Sequence, residues 1–261
     1  MLKKLFFIII IFSLFPVAAF SRKIPFPQDL GKVILNNYSE KAGIAPVVFD
    51  HWLHRDKFTC RVCHIDIGFA MEEEATDINA DLNMQGLYCG ACHNGRRVID
   101  DTVVFASCAE KFTEKEGKRC ARCHSKGAKE QREYKFEKFT ENLPRLRYGN
   151  LIDWDKAEEE GKINPIDFLP GISFQRDPIQ AQKDFSIEVT TWASDVIFSH
   201  KKHAMWNGCA VCHPQVFPSS KKGTVKYSMF QIMRGEYCGI CHLKVAFSVW
   251  LCYKCHINPV Q

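Results

Sequence analysis

Apolar residues are distributed unevenly along this chain. One long run, Leu5–Phe20, follows Lys3 and Lys4 and closes on the small residues Ala18, Ala19 and Ser21. That order of charge, apolar stretch and small residues predicts a signal peptide over 1–21, cleaved after Ser21. The run falls short of the roughly 20 residues of a membrane span, and an uncleaved anchor is the alternative reading. Either way the remainder is expected in the periplasm, an oxidising compartment. Beyond the run, apolar positions come in short clusters: Val47–Phe49 before Asp50, Val196–Phe198 before Ser199, and a scatter through 125–190 that includes Phe136, Phe139, Leu143, Leu146, Trp154 and Phe168. Asp153 is placed to cap a helix running through Glu160 and ended by Gly161, and Pro144, Pro165, Pro170 and Pro178 punctuate the same segment as turns.

Composition narrows the class. The chain has 261 residues, 46% of them hydrophobic and 12% aromatic, which is too apolar for a disordered chain. A single long apolar run excludes a polytopic membrane protein. The formal charge of +5 is spread along the chain without a basic stripe, so no nucleic-acid partner is expected. What stands apart is the count of 13 cysteines.

Twelve of them fall in six copies of Cys-x-x-Cys-His: Cys60/Cys63/His64, Cys89/Cys92/His93, Cys120/Cys123/His124, Cys209/Cys212/His213, Cys238/Cys241/His242 and Cys252/Cys255/His256. This is the pattern of covalent c-type heme attachment. Two thiols at this spacing add to the two vinyl groups of one porphyrin, and the adjoining imidazole becomes the proximal iron ligand. Zinc accounts for paired cysteines but not for a histidine after every second one. A disulfide scaffold is a poorer account still, because the two cysteines of each motif would bridge to distant partners. Cys108 is left over, as a buried or incidental thiol or an intermolecular bridge.

Val47-Val48-Phe49-Asp50-His51-x-x-His54 matches Val196-Ile197-Phe198-Ser199-His200-x-x-His203 at an offset of 149 residues, which also carries Cys60 onto Cys209, Cys89 onto Cys238 and Met84-x-Gly86-x-Tyr88-Cys89-Gly90 onto Met233-x-Gly235-x-Tyr237-Cys238-Gly239. Only the third motif breaks step, with 17 extra residues in the first copy between His93 and Cys120. The chain therefore reads as a triheme module over 45–124, an ordered connector over 125–190 and a second triheme module over 191–261. Six proximal histidines leave His51, His54, His200 and His203 for the far side of the irons. Each pair is spaced i, i+3, so one helical turn presents both from the same face. Met84 and Met233 are the repeat-matched residues with a suitable donor for the two irons that remain; filling a core is the ordinary alternative for a methionine. Phe49 and Phe198 are expected against porphyrin faces. With about 40 residues per cofactor, the fold class expected is mostly irregular: short α-helices around a heme-packed core, with little sheet.

Phe-x-His-x-x-His, then Cys-x-x-Cys-His, then Gly-x-Tyr-Cys-Gly-x-Cys-His and a closing Cys-x-x-Cys-His resembles the c7-type triheme cytochrome family, relatives of the class III cytochromes found in the periplasm of metal- and sulfur-respiring bacteria. The resemblance covers roughly 45–124 and 195–256. It implies that His51 caps the iron of His64, His54 that of His93 and Met84 that of His124, and, in the second module, His200 that of His213, His203 that of His242 and Met233 that of His256. Small all-histidine members carry a third histidine near the methionine position, where this chain has Gln85 and Arg234 nearby. The function expected is electron transfer, not catalysis: a periplasmic protein with six covalent hemes c, passing electrons between redox partners such as periplasmic or membrane cytochromes and quinol-oxidising complexes. Anaerobic respiration towards extracellular or metal acceptors is the setting the resemblance implies. The competing reading is a multiheme oxyanion reductase, which needs an iron with an open position.

Overall fold

The computed structural model describes residues 25–108, 117, 119–125, 135–175, 183–189, 193–219, 221 and 223–257. The expected signal peptide and Pro178 lie outside the described residues. Among those described, no helix is long and apolar enough to cross a membrane.

Regular structure is sparse and short. Strand β1 (Lys32–Leu35) pairs antiparallel with β2 (Val47–Asp50), and β2 runs directly into helix α1 (His51–Arg55). Helix α2 (Ala80–Met84) precedes a hairpin of β3 (Val98–Ile99) and β4 (Thr102–Val103), which occupies the extra residues of the first copy. Its two turn residues, Asp100 and Asp101, both have positive φ, as a type I′ turn requires. Helices α3 (Phe136–Phe139) and α4 (Trp154–Glu159) follow in the connector. Strands β5 (Phe185–Ile187) and β6 (Val196–Phe198) then pair antiparallel, and β6 leads into α5 (His200–Asn207), α6 (Met229–Met233) and α7 (Gly239–His242). Both two-stranded sheets that lead into a histidine-bearing helix draw their first strand from upstream of the repeat, where the sequence pattern gives no sign of it. Asp153 caps α4 through the Lys156 backbone N–H, as its position in the sequence predicts.

The largest cluster of buried apolar side chains is built around the connector. Phe136, Ile152, Trp154, Ala157 and Ile163 surround Trp52 of α1, and Trp206 of α5 packs against the same cluster. Trp52 meets Phe136 edge-on, with ring centroids 5.2 Å apart. The two histidine-bearing helices are thus held by one small core. Ion pairs extend the same junction: Lys254 to Asp153 at 3.1 Å, Lys202 to Glu159 at 3.3 Å and Lys244 to Glu73 at 3.0 Å. Trp154 is 2% exposed at the centre. Trp154→Ala is expected to cost about 3–5 kcal/mol, the usual penalty for deleting a buried large aromatic. A denaturant titration of the heme-loaded protein checks this, and an unchanged midpoint refutes it.

Candidate functional site

The sequence builds each motif locally. At the second motif of each copy the preceding helix runs into the cysteine turn so closely that a Cβ on Gly90 would lie 1.8 Å from the Asn83 carbonyl oxygen, and one on Gly239 would lie 1.9 Å from that of Ile232. Only glycine fits there. Gly86 and Gly235 end the same helices with positive φ, the ordinary glycine role past a helix C-terminus. These contacts are the physical content of the repeated Gly-x-Tyr-Cys-Gly. At the third motif, the Val48 N–H donates to the Cys123 carbonyl at 2.8 Å, and the Ile197 N–H to that of Cys255 at 3.2 Å. The repeat is therefore restored in space at the site where sequence spacing breaks it.

The first motif is tied to the connector. Thr59 donates to Asp167 at 2.8 Å, Arg61 pairs with the same carboxylate, and Ser173 donates to Asp66 at 2.6 Å. The Phe58–Thr59 backbone also bonds across to Ile166. None of these connector residues carries a sequence signal, because they act through long-range contacts.

Eight of the ten histidines have Nδ1 bonded to a backbone carbonyl. His51 donates to Gly31 (2.5 Å), His54 to Asp50 (3.3 Å), His64 to Phe69 (2.9 Å) and His124 to Ala45 (2.6 Å). In the second copy His203 donates to Ser199 (2.8 Å), His213 to Phe217 (2.8 Å), His242 to Phe247 (2.9 Å) and His256 to Ser194 (2.5 Å). A proton fixed on Nδ1 leaves the Nε2 lone pair for a metal, which is the usual outer-shell arrangement for a ligating imidazole. Burial pushes His51 and His242 down to about 4 and His54 to about 3, so these rings stay neutral at ordinary pH. Burial, reinforced by neighbouring thiols, pushes Cys63, Cys89 and Cys241 up to about 12. Ala45 and Ser194 stand 149 residues apart, so the repeat could have identified them.

Three pairs of histidine rings face one another at nearly one separation. His51 and His64 lie 6.4 Å apart between centroids with planes 6° apart; His54 and His93, and likewise His203 and His242, lie 6.2 Å apart. The spacing suits one metal between two nitrogens, since imidazole binds a metal at about 2.0–2.1 Å. His200 has no such ring contact with His213; its ring lies against Phe185 and Phe198. His124 and His256 face no other histidine ring among the described residues. Met84 and Met233 end α2 and α6 and are 40% and 41% exposed. Met233 lines the central cavity, and Met84 is not among its lining residues.

Phe49 and Phe198 pack on the histidines of their own pairs. Phe49 packs on His51 at 4.8 Å and on His54 at 4.4 Å, and Phe198 packs on His200 at 4.9 Å and on His203 at 4.4 Å. Each ring sits against both histidines of its pair and fixes their splay. Sequence alone cannot give the ring's neighbours.

Most of these groups surround one connected cavity of about 2990 Å³, lined by ten of the twelve paired cysteines and seven of the histidines. That is several times the roughly 300–1,000 Å³ of an ordinary small-molecule site, and native interiors do not sustain such voids empty. Among the described residues no three His, Cys, Asp or Glu side chains converge to hold a bare metal ion. The donors instead form opposed imidazole pairs beside paired thiols on an apolar cavity, the fit required by a flat metal macrocycle attached at its edge. All 13 cysteines are free of disulfides, Cys108 included.

A family model described as cytochrome c7 and related cytochrome c matches residues 47–125 and 196–257. Three solved structures are similar at 21–23% identity. The C-terminal hexaheme fragment of GSU1996 is 23% identical with a TM-score of 0.27, over 88% of this chain and 98% of that one. The N-terminal hexaheme fragment is 22% identical with a TM-score of 0.25, over 88% and 99%. The dodecaheme cytochrome c GSU1996 is 21% identical with a TM-score of 0.27, over 87% and 73%. No curated protein is similar in sequence to the chain.

Proposed function

From the premise that this chain belongs to the family of cytochrome c7 and related c-type cytochromes, and is thus a multiheme electron-transfer protein, we propose that it carries six hemes c in the periplasm and passes electrons between redox partners, without catalysis of its own. Extracellular or metal acceptors in anaerobic respiration are the destination proposed. The single observation that carries this reading is the set of opposed imidazole pairs at 6.2–6.4 Å around an apolar cavity rimmed by paired thiols. Cys60/Cys63, Cys89/Cys92, Cys120/Cys123, Cys209/Cys212, Cys238/Cys241 and Cys252/Cys255 would hold the hemes, with the six adjoining histidines as proximal ligands. His51, His54, His200, His203, Met84 and Met233 would complete them.

Heme supplies a one-electron iron couple when bound. The rest is the work of the chain. Backbone carbonyls fix the imidazole tautomers, Phe49 and Phe198 set the angle of each histidine pair, and apolar walls exclude water. The ligand set also separates potentials, because a thioether ligand raises a heme's potential over a second histidine. Two higher-potential hemes are therefore expected beside four lower ones.

An oxyanion reductase is the second reading. It rests on a specific observation: the third site of each copy faces no second histidine, and its methionine is about two-fifths exposed. The intact mass of the exported protein, with its EPR spectrum, tests both readings. Six heme increments and six low-spin ferric signals are expected. Fewer increments overturn the count, and high-spin heme at the third sites with cyanide binding transfers the argument to the reductase.

A further inference from the structure

At the junction of the two copies lies a half-buried cation that the electron-transfer reading leaves without a role. Arg55 closes α1, next to His54. Its guanidinium carbon stands 4.6 Å from the ring centroid of Trp154 and 5.0 Å from that of Trp206, so one indole from the connector and one from the second copy clamp it. One guanidinium N–H donates to the Val245 carbonyl, just past the fifth motif. The buried Nε has no partner.

Among the described residues no carboxylate forms an ion pair with this charge, although Asp155 and Glu158 stand close enough to favour it. The nearby acids are engaged elsewhere: Glu158 accepts from the Trp206 indole at 2.7 Å, and Asp155 lies 3.8 Å from Lys254. A charge held partly out of water with no direct ion pair is costly, and an apolar side chain of similar length would suit a clamp of two indoles better. An arginine also stays charged at any ordinary pH, whatever burial does to it. What surrounds it gives the charge a use. Arg55 stands five residues before Cys60 in the first copy, and the Val245 carbonyl it bonds lies three residues past His242 in the second. The attachment sites of the two copies therefore approach one another around this guanidinium.

We propose that Arg55 is a positioning charge for electrons: it raises the reduction potentials of the two hemes nearest the junction, those attached at Cys60/Cys63 and at Cys238/Cys241, above the other histidine-ligated hemes. A fixed cation repels the extra positive charge of ferric iron more than the neutral ferrous core, so the reduced form gains. Electrons entering either copy are drawn to the boundary between them, where transfer from one copy to the other must occur. The proposal rests on the multiheme reading above.

A redox titration of the fully loaded protein, resolved heme by heme by NMR, tests it. In the native protein the hemes of His64 and His242 are expected to reduce before those of His93 and His213; the reverse order overturns the proposal and requires no variant. Arg55→Met is expected to make these two hemes about tenfold harder to reduce, a shift of about 59 mV for a one-electron couple, with the other four unmoved. Arg55→Lys, which keeps the charge, is expected to shift them less. If Arg55→Met leaves both hemes in place, or moves all six together as a general loosening would, Arg55 has no such role. Failure of the underlying reading looks different, since the native protein would then lack heme mass at these motifs.

Discussion

Made without heme attachment, the mature chain is expected to show no cooperative unfolding transition. Its regular elements cannot stand alone. The longest helix described, α5, has eight residues, and isolated helices below about 12–15 residues are marginal in water. Every sheet described has two strands, and such pairs need further packing for independent stability. Only twelve hydrophobic side chains are buried among the described residues, against a cavity of about 2990 Å³ whose walls are largely apolar. That void has to be filled from outside the polypeptide, as metal-dependent domains fold only on binding. The heme-free chain is expected to retain at most the Trp52, Trp154 and Trp206 cluster, with weak ellipticity that declines gradually on heating. A sharp thermal transition with native-like far-ultraviolet dichroism in the heme-free chain would show that polypeptide packing suffices.

Removal of one distal histidine is the second large effect. His54 is a buried neutral ring on α1 facing His93 across 6.2 Å. Phe49 packs on it, tilted, at 4.4 Å, and its Nδ1 is bonded to the Asp50 carbonyl. His54→Ala deletes the facing nitrogen, and the neighbouring Phe49 and Phe105 rings have no lone pair to offer. One heme equivalent of six is expected to pass from low spin to high spin and to bind carbon monoxide, which the native ring excludes. His203→Ala should do the same at the heme of His242, since its ring stands in the matched geometry. His51→Ala should alter a different heme, that of His64. Magnetic circular dichroism with carbon monoxide titration counts the affected hemes. If His54→Ala leaves all of them low-spin, another side chain caps that iron and the assignment fails.

Both effects follow from features legible in the chain to different degrees. The His-x-x-His pairs and their helical setting were readable because both ends of the pattern lie within one turn. The structure brings the rings of His51 and His64, His54 and His93, and His203 and His242 within 6.2–6.4 Å of one another, a juxtaposition between separate segments that no local pattern gives. The third sites were less readable. Their spacing differs between copies, yet the Val47–His124 and Val196–His256 bridges place them alike, because strand pairing tolerates a longer loop between the same endpoints. Phe49 and Phe198 read from the sequence as core rings expected against porphyrin faces; only the tertiary structure shows that each also packs against both imidazoles of its pair.

By itself the sequence determined the attachment chemistry, the duplication and the short-element fold, because each is written in residues a few positions apart whose reach is fixed by covalent geometry. Tertiary structure alone decided the rest. The connector core under Trp52 and Trp206, the Gly31, Ala45 and Ser194 carbonyls that orient His51, His124 and His256, and the clamp on Arg55 join residues twenty to nearly two hundred positions apart. No periodicity announces such contacts, since they depend on where the folded chain brings surfaces together.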